Sequence, residues 1–132
     1  NIQIGLLYNK WRVKINNFAW SSTNASDTSR HLFVLNTSEG TRIDDIEVTT
    51  TQYTISSANT YSMFLFGRNR AGRQQITASK IYSCKIYDDT TLIRNFIPVR
   101  RKSNSELGMY DTVTKTFFIN QGTGQFRSNL DP

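Results

Sequence analysis

Apolar and polar side chains alternate along Lys80-Ile-Tyr-Ser-Cys-Lys-Ile-Tyr-Asp88. Tyr82, Cys84 and Ile86 fall on one face of an extended chain, Ser83 and Lys85 on the other. A repeat of two belongs to a half-buried sheet rather than a helix. The same alternation sets Trp11, Val13 and Ile15 against Arg12 and Lys14. No helical stripe of comparable quality is present. The pattern predicts strands near Ile2–Tyr8, Trp11–Asn16, Arg30–Asn36, Thr41–Ile43, Ile46–Thr50, Tyr61–Gly67, Ile76–Asp88, Thr91–Pro98, Gly108–Val113 and Thr116–Asn120.

The joints between these runs carry turn chemistry. Asn9-Lys10 suits a tight hairpin, because Asn tolerates positive φ. Asp44-Asp45 reads as a second hairpin turn, less favourable than Asp-Gly. Asp88-Asp89 and Thr114-Lys115 read as turns as well. Ser21–Ser29 reads as a polar loop, and Arg68–Gln75 as another with Gly72 at its tip. Pro98 ends its strand or places it at an edge, since it cannot donate to a ladder. Met63-Phe64-Leu65-Phe66 is apolar on both faces, as a covered sandwich strand would be. Many short strands, regular turns and no helix predict an all-β sandwich or jelly roll.

The 132 residues suffice for one domain with a real core. A single cysteine excludes an internal disulfide and a multi-cysteine zinc site. Cys84 falls on an apolar strand face and reads as a small buried hydrophobe. No apolar run approaches the roughly 18 residues of a membrane helix, so membrane insertion is not expected. No signal peptide is visible. A chain opening on Asn1 rather than Met reads as a fragment or a processed product. The formal net charge is +6, with basic residues at Arg68, Arg70 and Arg73, at Arg100-Arg101-Lys102, and along Lys10-Trp-Arg-Val-Lys14. Such a balance attracts nucleic acid, anionic lipid or acidic polysaccharide. No nucleic-acid motif accompanies it, so the favoured reading is charge that keeps sheets soluble and apart.

Ile81-Tyr-Ser-Cys-Lys-Ile-Tyr-Asp88, Leu92-Ile-Arg-Asn-Phe-Ile-Pro98, Arg101-Lys-Ser103, Gly108-Met-Tyr-Asp111, Phe117-Phe118 and Asn120-Gln-Gly-Thr-Gly124 together resemble a widespread module. It is the concanavalin A-like, laminin-G-like domain of tailed-phage tail and receptor-binding proteins, prophages and secreted proteins of gut bacteria. Tyr61–Asn69 is similar to the strand before that family's variable loop. Arg30–Asn36 with Ile43-Asp44 is similar to its central hairpin region. The resemblance covers nearly the whole chain. It implies a jelly-roll β-sandwich of two antiparallel sheets, here lacking the first strands and forming the C-terminal portion of a larger protein. Asp45 stands where the family often has glycine. A shared strand-and-turn signature implies fold and context rather than a ligand site.

Candidate chemistry is sparse. Asp45 and Glu47 could share a strand face as a glycosidase carboxylate pair, but Asp44-Asp45 reads as a turn. His31, the single histidine, has no nucleophile or orienting partner identifiable from sequence, and reads as structural. Calcium needs six to eight oxygens. Asn24, Asp27, Asp88 and Asp89 offer oxygens without dense spacing, so turn-forming Asp is the simpler reading and no cofactor or metal is assigned. Sugar binding needs an aromatic surface for the C–H face of a pyranose and planar polar groups for its hydroxyls. Trp20, Asn24 and Asp27 form one such candidate set, and Arg68, Asn69, Arg70 and Arg73 another. No P-loop, dinucleotide or zinc signature is present.

These readings converge on a non-catalytic recognition or adhesion module of a phage tail or cell-surface protein. Its expected partner is a bacterial surface glycan or other tail-protein chains, not nucleic acid, and a homo-oligomer fits that setting. The expected location is the virion or the extracellular surface. The competing expectations are a structural spacer of a tail fibre or baseplate and, behind it, a glycan hydrolase.

Overall fold

The computed structural model describes residues 2–8, 10–15, 18–25, 27–52, 65, 67–70, 73–76, 79–122 and 124–128. Among them the regular structure is all strand, in antiparallel sheets of three, three, two and four strands. No described helix is long and apolar enough to cross a membrane. The chain divides into two compact units, Asn1–Met63 and Phe64–Pro132.

The first unit holds two meanders. β1 (Ile2–Leu7), β2 (Lys10–Ile15) and β3 (Phe18–Ala25) form one sheet in that order. β4 (Phe33–Asn36), β5 (Gly40–Ile43) and β6 (Ile46–Thr49) form the other. Leu7 pairs with Lys10, leaving a two-residue turn whose first residue, Tyr8, takes φ 51°. Val13 is fully buried on the apolar face that alternation predicts. Trp11 meets Phe33 of the second sheet edge-on, ring centroids 5.3 Å apart at 80°. That contact, with buried Val13, Thr41 and Ile43, defines the core of this unit.

Side chains set its turns. Asn36 Oδ1 accepts from the backbone N–H of Ser38 and of Glu39, at 2.8 and 3.1 Å, shaping the loop before Gly40. Gly40 closes that loop at φ 97°, and a Cβ there would strike the Thr49 carbonyl. Asp44 and Asp45 both take positive φ, 50° and 65°, between the paired Ile43 and Ile46. That is the type I′ geometry whose twist suits a hairpin, reached without glycine.

β3 corrects the polar loop read over Ser21–Ser29, whose first part is strand through Ala25. Ladder hydrogen bonds are backbone bonds, and side-chain polarity does not forbid them. Here the Trp11 N–H donates to Ser22 Oγ at 3.1 Å where the β2–β3 register slips.

The second unit begins with a hairpin, β7 (Gly67–Arg70) and β8 (Arg73–Ile76), where Arg68–Gln75 was read as a loop. Arg, Asn and Gln give no apolar alternation to announce it. The predicted strand Tyr61–Gly67 lies outside the described residues save Leu65 and Gly67.

The four-stranded sheet has the order β12-β11-β10-β9. Its strands are β9 (Cys84–Asp88), β10 (Thr91–Arg100), β11 (Leu107–Asp111) and β12 (Thr116–Phe118). The strand predicted over Ile76–Asp88 is thus two pieces, and Tyr82 lies outside β9 with its side chain exposed. Cys84 stays half-buried, and burial pushes its thiol pKa up. Cross-strand register aligns Cys84, Phe96 and Asp111 on one face, with Met109 and Phe118 two pairs along on the same face. Phe96 and Met109 are buried there, and Phe96 meets Phe118 edge-on at 5.6 Å.

Pro98 sits inside β10, which runs on to Arg100. Its position is nevertheless an edge on one side. The Thr112 N–H donates to the Asn95 carbonyl and the Arg101 N–H to that of Glu106, so odd-numbered residues of β10 face β11. Pro98 therefore turns its nitrogen toward β9, whose pairing has already ended at Phe96. The missing N–H leaves no gap in a ladder.

On the opposite face Gly108 lets the Phe117 ring lie across β11. A Cβ at Gly108 would come within 2.6 Å of that ring and 2.5 Å of the Phe118 carbonyl oxygen. Arg101 lies over the Phe117 ring, its guanidinium carbon 4.1 Å from the centroid.

Every described strand pair joins chain neighbours. The crossover pairings of a jelly roll are not among them.

Candidate functional site

In the first unit the structure assembles a cluster that no spacing rule announced. His31 precedes β4, with 12% of its side chain exposed and the Trp11 ring 4.9 Å away, centroid to centroid. Its Nε2 donates to Asp27 Oδ1 at 2.8 Å. Its Nδ1 donates to Asp44 Oδ2 at 2.5 Å. Carboxylates on both ring nitrogens favour the imidazolium form, in which both nitrogens donate. Asp44 Oδ1 also accepts from the Leu32 N–H at 2.8 Å, and the Asp44 N–H donates to the Leu32 carbonyl at 3.0 Å. Asp27 Oδ1 accepts from the Ser29 N–H at 2.6 Å. The loop before β4 is thereby pinned to the β5–β6 turn.

The electrostatics follow from these bonds. His31 is raised above an ordinary histidine, first by Asp44 and then by Asp27, against a smaller opposing effect of burial. Asp44 is lowered, chiefly by His31 and then by the Leu32 N–H. Asp27 is lowered by the Ser29 backbone N–H and then by His31.

A histidine pKa raised on folding contributes stability that is complete below the unfolded value of about 6.5. That contribution is lost as pH climbs through the folded value. The two carboxylates contribute above their unfolded value of about 4 and lose it as pH falls through their lower folded values. The clamp is therefore strongest in mildly acidic solution. A proton NMR titration of the His31 ring is expected to give a midpoint above that of free histidine, and Asp44→Asn is expected to move it down. An unmoved midpoint in that variant would show that Asp44 does not hold the proton.

Chemically, this is a clamp. Both ring nitrogens are engaged, and the carboxylates sit on different nitrogens rather than converging on one cation. Among the described residues no group of three or more His, Cys, Asp or Glu side chains is placed to hold a metal ion. Asp45 lies in the turn, and Glu47 pairs in register with Arg42.

The sequence-derived binding residues fall in both units. Trp20 is half-buried in β3, opposite Val13, and Asn24 lies further along the same strand. Asp27 is engaged by His31 and Ser29 as above. In the second unit Arg70 pairs with Arg73 across the β7–β8 hairpin, Arg68 with Gln75 and Asn69 with Gln74. Arg70 and Arg73 thus share one register position on this short hairpin, with Arg68 two positions along. Asp88 ends β9, and Asp89 takes the turn at φ 50°.

Sequence reasoning missed a further site in the second unit. An open cleft of about 360 Å³ lies between the β10–β11 loop and the segment after β12. The end of β10 supplies Arg100, the loop Glu106 and the start of β11 Leu107, while the segment supplies Asn120, Gln125 and Phe126. Both walls are fixed locally. The Ser105 N–H donates to the Arg101 carbonyl at 2.9 Å, and Ser105 takes φ 59°. Asn104 Oδ1 accepts from the Glu106 N–H at 3.2 Å, and Arg101 reaches Glu106 Oε2 at 3.2 Å. Arg100 points a guanidinium N–H at the Ser105 carbonyl, at 3.4 Å. Asn120 Oδ1 accepts from the Gly122 N–H at 2.9 Å, and its Nδ2 donates to the Gly124 carbonyl. Asn120-Gln-Gly122 was the available signal, because Asn two residues before glycine spells an Asx turn.

Comparison of the chain with protein-family models, with curated proteins and with solved structures finds no match.

Proposed function

We propose that the chain is a non-catalytic recognition module that binds bacterial surface carbohydrate. In this reading it belongs to a phage tail or cell-surface protein and is built on a concanavalin A-like jelly roll. The observation that carries the reading is a sheet with fixed, polar ends. Of the residues quoted for the resemblance, Cys84–Asp88, Leu92–Pro98, Gly108–Asp111 and Phe117-Phe118 fall on β9 to β12. The loops leaving those strands are held by their own side chains, through Asn104 and Asn120. Preorganised polar groups on a rigid antiparallel frame are what hydroxyl recognition requires. The saturated His31 supports binding over chemistry, because its ring is engaged on both nitrogens.

Each site binds weakly, and copies in an assembled particle supply strength. The chain displayed in a multivalent format is expected to be retained on host envelope fractions and on a bacterial glycan array, with Trp20→Ala and Arg70→Ala reporting on the two sequence-derived sets. Absence of retention on every fraction would end this reading.

A second reading, assembly with neighbouring chains, draws on the outer strands of the four-stranded sheet. β9 carries Tyr87 at 53% exposure and β12 carries Phe118 at 46%. Exposed aromatics on edge strands favour contact with another chain. Light scattering that gives a stable trimer, together with no glycan retention, selects this reading.

A further inference from the structure

We infer that the cleft between Arg100, Glu106, Leu107, Asn120, Gln125 and Phe126 holds one uncharged pyranose ring of the surface polysaccharide. This rests on the recognition reading and gives it a location and a ligand class. Three features of the lining carry it.

The first is the chemistry of the walls. Leu107 and Phe126 are half-buried and supply apolar surface for the C–H face of a sugar. Asn120, Gln125, Arg100 and Glu106 supply two amides, a guanidinium and a carboxylate. Planar groups of this kind pair with vicinal hydroxyls, donating to one and accepting from the next.

The second is preorganisation with capacity to spare. A primary amide carries two N–H groups and two carbonyl lone pairs. Asn120 uses one of each on Gly124 and Gly122, which fixes its plane. One donor and one acceptor remain for a ligand. Gln125 is exposed and makes no hydrogen bond among the described residues. Glu106 has Oε2 engaged by Arg101 and Asn104, at 3.2 and 3.3 Å, which orients its second oxygen. Side chains already immobilised lose little entropy when a sugar binds.

The third is charge. The lining itself holds one cationic side chain, Arg100, and one anionic one, Glu106, so its formal charge sums to zero. Arg101 next to the cleft is occupied by Glu106 and by the Phe117 ring. A neutral hydroxyl-rich ring is the matching ligand. This separates the cleft from the β7–β8 hairpin, whose Arg68, Arg70 and Arg73 suit an anionic ligand. The volume sits near the lower end of small-molecule sites, about 300–1,000 Å³, as one ring requires.

The test is amide and side-chain NMR on the 132-residue chain, titrated with three probes. They are neutral O-antigen oligosaccharide, soluble peptidoglycan fragments, and phosphate-bearing wall teichoic acid. Neutral oligosaccharide is expected to shift the Asn120 and Gln125 amides and the Glu106 backbone. Gln125→Ala, which removes no described intramolecular bond, is expected to weaken binding about three- to tenfold. Asn120→Ala is expected to weaken it at least as much, with the backbone spectrum of β9 to β12 showing whether the fold is kept. Saccharide binding that shifts only β3 or the β7–β8 hairpin overturns the inference and leaves the recognition reading standing. So does an unchanged affinity in Gln125→Ala. Binding of teichoic acid at the cleft in preference to the neutral probe overturns the ligand class. No shift with any probe, together with no retention of the multivalent chain on envelope fractions, overturns both.

Discussion

Replacing Phe96 with alanine is expected to destabilise the four-stranded sheet by about 3–5 kcal/mol, the usual cost of emptying a buried phenylalanine site. The ring is 7% exposed and lies in an interior strand of that sheet, between Cys84 and Asp111 in register. It also meets Phe118 edge-on, and such pairs contribute beyond their buried area. Few other large side chains fill this face, so little nearby can collapse into the void. Urea unfolding followed on amide signals from β9 to β12 measures the loss. A change under about 1 kcal/mol would place the core of this sheet elsewhere.

The second large effect is expected at Asp111. Its side chain is fully buried. Oδ1 accepts from the Asn95 N–H at 2.9 Å and the Val113 N–H at 3.0 Å. Oδ2 accepts from Thr114 Oγ1 at 2.7 Å and lies 3.6 Å from Arg94 Nε. One carboxylate thus ties β10 to the four-residue turn between β11 and β12. Asp111→Ala strips an acceptor from several donors at once, and donors left unpaired in a dry site are costly. A fall in Tm of roughly 5–10 °C or more is expected. Asp111→Asn keeps one acceptor oxygen and should fall between the two.

Acid separates charge from packing. Burial alone would raise the Asp111 pKa, but the Asn95 N–H, the Thr114 hydroxyl and the Val113 and Thr114 backbone N–H groups outweigh it and leave the pKa lowered. The charged form is therefore preferred more in the folded chain than in the unfolded one. Its contribution is complete above about pH 4 and disappears as pH falls through the lowered value. Wild type is expected to lose stability over that interval more steeply than Asp111→Asn. Parallel acid profiles for the two would remove the carboxylate from the account.

What the sequence disclosed follows the physics of its signals. β1, β2, β4 to β6 and β9 to β12 carry apolar alternation or Asp-rich turns, and both survive translation into structure. Residues such as Val13, Phe96 and Met109 announce their side of the sheet by parity alone. β3 and the β7–β8 hairpin were invisible because Ser, Thr, Asn, Arg and Gln contribute no period to their strands. Ile76–Asp88 was read as one long strand because Ile81 and Tyr82 continue the alternation into a segment that is not strand.

The functional groups were harder still. Asp27, His31 and Asp44 are separated by four and thirteen residues, a spacing with no meaning until the β5–β6 turn folds back. The cleft beside Asn120 is assembled from a loop and a tail, neither of them amphipathic. Trp20 and the three arginines were legible as residue types, yet a residue type alone does not say which way a strand presents it.

The meander connectivity bears on how the chain forms. Each strand that pairs does so with the one made just before or after it, so ring closure spans a handful of residues and its entropic penalty is small. A described ladder of this kind can zip from its amino end while the ribosome is still extending it, each strand meeting its partner one hairpin later. Freshly exposed strand edges are then capped within one hairpin's length of synthesis, which limits their chance of pairing with a neighbouring nascent copy.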